Sequence, residues 1–343
     1  MSLIRPDLAS IAAVPHGSAS QAELAAYGIA PEAALDFSVN TNPLGPAPSV
    51  LRAIAGADWT RYPGDDEPTL RAAIANHVGV SPDQVVLGNG SVELIWLIAL
   101  ACVRPGDCVA IAETTFGEYA RAARLAAARV VDMQQSNQAR LTFVCNPNNP
   151  DGAYQPRPAM EQLAQRTSGV LAIDEAYVGF LDQRWDSAAL LELGNVVVLR
   201  SMTKDHALPG LRLGYGFAPR EIAQALESVR PPWSVNAGAL RAGLAALEPA
   251  AQAHVAAARD VVQAARRLLT QGFERRGFNV RQSEANFVLV EVGDATGFRR
   301  ALLRYGVVVR DCTSFGLPGH VRVACKRPAE CQRLLAALAD AIR

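Results

Sequence analysis

The chain has 343 residues with 33 basic and 33 acidic side chains; half of it is hydrophobic and 19% charged. That length and apolar content suit two packed domains, or a large domain with a satellite, and exclude a disordered or fibrous chain. Balanced charge argues against a nucleic-acid partner, because a phosphate backbone needs a basic face.

The N-terminus carries no charged segment followed by an apolar stretch. The longest apolar run, Leu94 to Val103, is too short to span a bilayer. A cytoplasmic protein with no membrane partner is expected. Cysteines 102, 108, 145, 312, 325 and 331 show no CxxC pairing. Buried thiols are expected, with neither a disulfide framework nor a metal site.

In chain order, QVVLG (84–88) reads as a strand and SVELIWLIALACV (91–103) as a buried helix. CVAIA (108–112) is a strand and GEYARAARLAAA (117–128) a helix, followed by a polar loop at 134–140. LTFVC (141–145), VLAIDE (170–175), NVVVLRS (195–201) and LRLGYGF (211–217) are further strands. Strands apolar throughout and separated by helices are buried on both faces, which predicts an α/β domain with a mostly parallel sheet. Residues 236–276 read as helix. A second, βαβ-like set follows: NFVLVEV (286–292), a helix near 294–305, GVVVR (306–310), HVRVA (320–324) and a C-terminal helix. The expected division is a large domain at 45–249 and a small α+β domain from 1–44 with 250–343.

Only two lysines occur, Lys204 and Lys326, so 31 of the 33 basic residues are arginine. A lysine kept against that bias suggests a task for which a guanidinium is unsuited. A Lys amine can lose its proton and attack a carbonyl, whereas Arg stays charged. Lys326 reads as a surface cation. Lys204 lies in RSMTKDHALPGLRLGY (200–215), which gathers Ser201, Lys204 and Arg212 around a strand end.

Ligands of open parallel sheets bind beyond the carboxyl ends of strands, and other polar clusters fall there too. GNGSVE (88–93) is a glycine turn opening a helix, where the N–H groups of Gly90, Ser91 and Val92 suit a phosphate. It lacks the third glycine of a dinucleotide fingerprint and the Gly-Lys-Ser/Thr of a P-loop. NPNNPDG (146–152) reads as a surface turn or as a rigid mount for an Asn amide. DEAY (174–177) ends an apolar run, and its Asp174 needs either a salt-bridge partner or a protonated heterocyclic nitrogen. Arg310 and Arg322 lie on strand-like runs, where a buried arginine serves an internal carboxylate or a ligand anion.

An anion cradle, a lysine nucleophile, an acid for a ring nitrogen and arginines for substrate anions are what pyridoxal phosphate requires. From about residue 15 onward the chain resembles the aminotransferase-fold pyridoxal phosphate enzymes, in the branch holding histidinol-phosphate aminotransferases and threonine-phosphate decarboxylases. The resemblance implies fold type I, with a seven-stranded sheet, and a small-molecule amino acid or amino phosphate as substrate. It further implies that Lys204 forms the Schiff base and moves protons at the substrate Cα. Asp174 would pair with the pyridine nitrogen, Tyr177 and Asn149 would bond the ring's 3-oxygen, and Phe116 would stack on the ring. Gly90, Ser91, Val92, Ser201 and Arg212 would hold the phosphate. Tyr62 in RYPG would reach the phosphate of a neighbouring subunit, making a homodimer with shared sites. Arg322 and Arg310 would receive a substrate carboxylate or phosphate, and His16 and Asn40 would touch substrate.

Within the branch, HG (16–17), DFSVNTNPLG (36–45), PPWSVN (231–236) and RDCTSFGLP (310–318) are closer to the threonine-phosphate decarboxylases. These supply the side-chain precursor of cobalamin. Three features depart from the pattern: Ser18 follows HG, Asp151 replaces a usual Thr, and only 14 residues separate Val131 from Asn146, too few for a helix common in the family. A histidinol-phosphate-type or other class I/II aminotransferase stays open for this sequence. A non-catalytic cofactor-binding module is disfavoured, because it would not need the acid at Asp174.

Overall fold

The computed structural model describes residues 3, 8, 11–15 and 17–341. In chain order the strands are β1 (Leu35–Asp36), β2 (Val85–Asn89), β3 (Cys108–Ile111), β4 (Arg129–Asp132), β5 (Leu141–Cys145), β6 (Val170–Asp174) and β7 (Val196–Ser201). Then come β8 (Leu213–Phe217), β9 (Asn279–Arg281), β10 (Phe287–Glu291), β11 (Val307–Val308), β12 (Arg310–Asp311) and β13 (His320–Ala324).

A seven-stranded sheet runs in the order β2-β8-β7-β6-β5-β3-β4. β8 pairs antiparallel with both β2 and β7, and the other pairs are parallel. Six carboxyl ends therefore share one edge with the amino end of β8. β5 to β8 carry almost unbroken buried residues, because helices cover both faces of the sheet. The helix Ser91–Cys102 is apolar nearly all round and packs Leu94, Ile95 and Ile98 fully inside. On the opposite face, Leu70, Ile74 and Leu240 close a second buried cluster.

The C-terminal part corrects the βαβ-like expectation. Its sheet, β12-β13-β10-β9, is antiparallel throughout. Only the two-residue pair β1–β11 is parallel, and it ties the N-terminal segment to this part. Alternating apolar runs cannot report strand direction, which depends on how each connection returns. The segment read as a polar loop at 134–140 is instead a 3-10 helix over Met133–Gln138, begun by Asp132 accepting from the Gln134 N–H. One short helix thus bridges β4 and β5. Sequence inspection also passed over the helices Pro48–Ala55, Asp66–Val78, Arg157–Arg166 and Arg220–Val229.

The 26-residue helix Pro249–Glu274 buries Val262, Leu269 and Phe273 against Val288, Val290 and Leu334. Proline at its first turn costs no hydrogen bond, since that N–H would lack a partner in any case. No helix among the described residues is long and apolar enough to cross a membrane.

Candidate active site

Turns at the shared sheet edge surround a cavity of about 370 Å³, lined by Ser91, Val92, Phe116, Tyr119, Cys145, Asn149, Asp174, Ala176, Tyr177, Ser201, Thr203, Lys204 and Arg212. This is within the range, roughly 300–1,000 Å³, of small-molecule sites. Residues as far apart in sequence as Ser91 and Arg212 meet because β2, β3, β5, β6 and β7 all end at this edge. β8 begins there, which returns Arg212 to it.

The glycine turn is shaped for an anion. Gly90 has φ 78° and ψ 160°, a conformation nearly exclusive to glycine. A Cβ there would stand 2.5 Å from Arg212 Nη2, so the missing side chain admits the guanidinium. Gly214 on β8 lies against the Ser91 backbone nitrogen, closer than any side chain would permit. Both features bring backbone N–H groups, a helix N-terminus and a guanidinium to one spot. Ser201 caps the four-residue helix Met202–Asp205, and its hydroxyl lies 2.7 Å from the Thr203 hydroxyl.

Lys204 rides on that short helix. Burial, with the positive charges of Arg322 and Arg212, lowers its amine to about 8. The turn is held from the N-terminal segment: the Asn42 N–H donates to the Lys204 carbonyl and its Nδ2 to the Asp205 carbonyl, each at 2.8 Å. Asn42 was missed in sequence; DFSVNTNPLG drew attention to Asn40 instead. Asn40 is buried, its carbonyl accepts from Asn286 Nδ2 at 2.9 Å, and its side-chain amide faces the Tyr177 phenol.

Asp174 closes the far side, buried at the end of β6. Oδ1 accepts from the Ala176 N–H at 3.0 Å and Oδ2 from the Tyr119 hydroxyl at 2.8 Å. Burial raises its pKa to about 6, against the lowering effect of those two donors. Such a carboxyl is suited to a cationic partner. Burial also lifts the Tyr177 phenol to about 12, so it stays a donor at neutral pH.

A second cavity, about 160 Å³, shares Phe116, Asn149, Tyr177 and Lys204 with the first and adds Asn40, Arg310, Ser314 and Arg322. Arg310 and Arg322 face each other in the β12–β13 register. Arg322 Nη1 donates to Asn149 Oδ1 at 2.5 Å and Nη2 to the Ser38 carbonyl at 3.0 Å, while its buried Nε has no partner among the described residues. Arg310 Nη2 donates to the Pro15 carbonyl and the Ser314 hydroxyl, and its guanidinium lies over the Phe315 ring.

Among the described residues, two expected ones do not line these cavities: Gly90, which stands against Arg212 behind the turn, and Tyr62. Tyr62 is 75% exposed and stacks on Trp233 with ring centroids 4.4 Å apart. His16 lies outside the described residues. Tyr119 and Thr203 line the site but gave no sequence signal, since a tyrosine on an amphipathic helix reads as core.

An anion cradle, a buried amine of lowered basicity and a buried carboxyl at one sheet edge define a lysine-based enzyme for a phosphorylated heterocyclic cofactor. Residues 32–338 match the aminotransferase class I and II family, and the chain belongs to it. It is 37% identical to the histidinol-phosphate aminotransferase of Symbiobacterium thermophilum, over 88% of this chain and 89% of that protein. The crystal structure of the Sinorhizobium meliloti histidinol-phosphate aminotransferase in complex with pyridoxal-5'-phosphate has a TM-score of 0.85 at 25% identity, covering 100% of this chain and 98% of that one. The L-threonine-O-3-phosphate decarboxylase of Porphyromonas gingivalis has a TM-score of 0.80 at 25% identity, over 90% and 99% of the two chains. The protein is a pyridoxal phosphate-dependent enzyme of fold type I.

Proposed function

We propose that the chain acts at the Cα of a small amino phosphate bearing a carboxylate, and that its reaction is decarboxylation of L-threonine O-phosphate. The observation that carries this is the pair Arg310 and Arg322 in one small cavity beside Lys204, with Arg322 Nε unpartnered among the described residues. Two guanidiniums suit a substrate with two anionic ends. Segments 36–45 and 310–318 support the same reading.

In this reading Lys204 would hold the cofactor covalently and would move a proton at the substrate Cα. Near neutral pH a fraction of its amine is unprotonated, because its pKa is about 8. Gly90, Ser91, Val92, Ser201 and Arg212 hold the phosphate, and Phe116 covers the ring face. Asp174 faces the pyridine nitrogen, and Tyr177 and Asn149 face the 3-oxygen. Arg322 fixes the Asn149 amide by occupying its oxygen, which turns the Nδ2 donors toward the cofactor. When bound, the cofactor supplies the sink for charge developing at Cα. Arg310 and Arg322, with Asn40 and His16 as further contacts, would clamp the substrate's anionic groups and so set which bond at Cα is placed to break.

The same reading takes residues 45–249 as the cofactor-holding domain and 1–44 with 250–343 as the closing one. It takes the protein to be a cytoplasmic homodimer in which Tyr62 reaches the neighbouring phosphate site.

Histidinol-phosphate transamination is the second reading, favoured by the name of the 37%-identical relative. One assay separates the two: O-phosphothreonine and histidinol phosphate are each supplied with and without a 2-oxo acid. CO₂ release independent of the acceptor supports decarboxylation. Acceptor-dependent amino transfer from histidinol phosphate, with no CO₂ from O-phosphothreonine, overturns it.

A further inference from the structure

Asp174 has a neighbour that neither the sequence motifs nor the comparisons single out. Tyr119 lies in the first turn of the helix Glu118–Leu125 and is wholly buried. Its ring stacks on Phe143, centroids 4.9 Å apart and planes 9° from parallel, and meets Phe116 edge-on at 5.6 Å. Packed on both sides, the phenol cannot swing away from Asp174 Oδ2, which its hydroxyl reaches at 2.8 Å. An ionised carboxylate can only accept, so the tyrosine donates. One side chain thus ties Phe116, at the expected ring face, to Asp174, at the expected ring nitrogen.

A carboxyl and a pyridine nitrogen in contact share one proton, and the proton's side decides how strongly the ring withdraws electrons. A donor on the carboxylate favours the ion pair, with the proton on nitrogen; losing that donor favours neutral acid against neutral pyridine. Burial pulls the same way as losing the donor, since it penalises both charges. We propose that Tyr119 is a positioning residue whose hydrogen bond to Asp174 keeps the shared proton on the cofactor's ring nitrogen.

The other groups around Asp174 do not substitute for this. The Ala176 N–H holds the opposite oxygen. The Cys145 thiol, raised well above its ordinary range by burial, meets the Tyr119 hydroxyl but gives its own hydrogen to the Pro147 carbonyl at 3.2 Å, so it is no donor to Asp174. Glu175 adds negative charge, which raises Asp174 further, and Lys204 lowers it by its charge alone, without donating a hydrogen bond to it. Tyr177, raised by burial, stays neutral.

The proposal rests on the reading that Asp174 faces the ring nitrogen, and the test separates the two. The holoenzyme is prepared with cofactor labelled with ¹⁵N in the ring, and the nitrogen resonance is recorded from pH 6 to 9 for wild type, Asp174→Asn, Tyr119→Phe and a chain with 3-fluorotyrosine at 119. Asp174→Asn should move the resonance fully to the neutral-pyridine position; an unmoved resonance refutes the Asp174 reading itself. Tyr119→Phe should move it part of the way, a shift of roughly 10–100-fold in the proton equilibrium, as expected for one hydrogen bond to a charged group. The turnover number should fall about tenfold while the KM for the amino substrate holds. Fluorotyrosine keeps every ring contact and donates more strongly, so it should hold the protonated position to higher pH than wild type. A purely packing role predicts wild-type resonances in both Tyr119 variants. That result, with Asp174→Asn shifted, overturns the proposal, and the fluorotyrosine chain decides the matter if the Phe variant does not load.

Discussion

Gly90→Ala places one methyl group where the structure has no room for it. At φ 78° and ψ 160° a residue with a Cβ is strained by roughly 1–3 kcal/mol. The new carbon would lie 2.5 Å from Arg212 Nη2 and 3.1 Å from Cζ, so the guanidinium must leave the turn. If Arg212 gives the cofactor phosphate one charge-assisted hydrogen bond, its loss costs about 1.5–3 kcal/mol. At 1.4 kcal/mol per decade, cofactor affinity should fall roughly 10–150-fold. Titrating apoprotein with pyridoxal phosphate, followed by absorbance, measures this directly. Thermal melts of the same apoprotein read the strain, at about 1–2 °C per kcal/mol for a chain of this size. Arg212→Met should lose a comparable affinity, and the double variant should lose little more, because the methyl acts through the arginine. An affinity within twofold of wild type, or fully additive losses, would refute the account of the turn.

Further expectations concern the buried charges and the assembly. Asp174 keeps its proton up to about pH 6 in the folded chain, against an ordinary value of 3.8. The native state thus binds the extra proton between those values, and apoprotein stability should fall as pH rises through that window, by on the order of 1–3 kcal/mol. Asp174→Asn should abolish that slope and melt higher than wild type at pH 7 without cofactor; an unchanged slope counts against the assignment. Lys204 has the opposite sign: the folded chain binds fewer protons between about pH 8 and 10.5, so stability should rise across that interval and Lys204→Met should flatten it. Arg200→Ala strips the partner from Glu175, whose side chain is fully buried 3.0 Å away, and should cost about 3–5 kcal/mol in denaturant unfolding. A cost below 1 kcal/mol would mean the pair is not as enclosed as it stands here. Borohydride should fix the cofactor to the peptide containing Lys204, and label found elsewhere would dismiss that lysine. Mixing inactive Lys204→Ala with an inactive Tyr62 variant should recover activity through hybrid dimers; a fully active monomer would remove Tyr62 from the site.

What the amino-acid sequence determines by itself is local or compositional. Apolar-rich runs such as LTFVC and HVRVA coincide with β5 and β13 because nearly every residue in them is buried, Thr142 and Arg322 included. Lys204 stood out because 31 of 33 cations are arginine, and Gly90 because the turn from strand to helix needs its conformation. Tertiary structure alone decided the rest. The antiparallel C-terminal sheet depends on the return path of each connection, which an apolar pattern does not encode. Asn42 holds the lysine turn across 163 residues of chain, and a polar residue in a Pro- and Asn-rich stretch looks the same whether it clamps a helix or faces water. Tyr119 is the clearest case. Its hydrophobic ring satisfies the pattern of an amphipathic helix, and only packing against Phe143 and Phe116 aims its one polar atom at a carboxylate 55 residues away. Pattern reports how much of a side chain is apolar; where its single hydroxyl points is set by neighbours that the chain order does not place beside it.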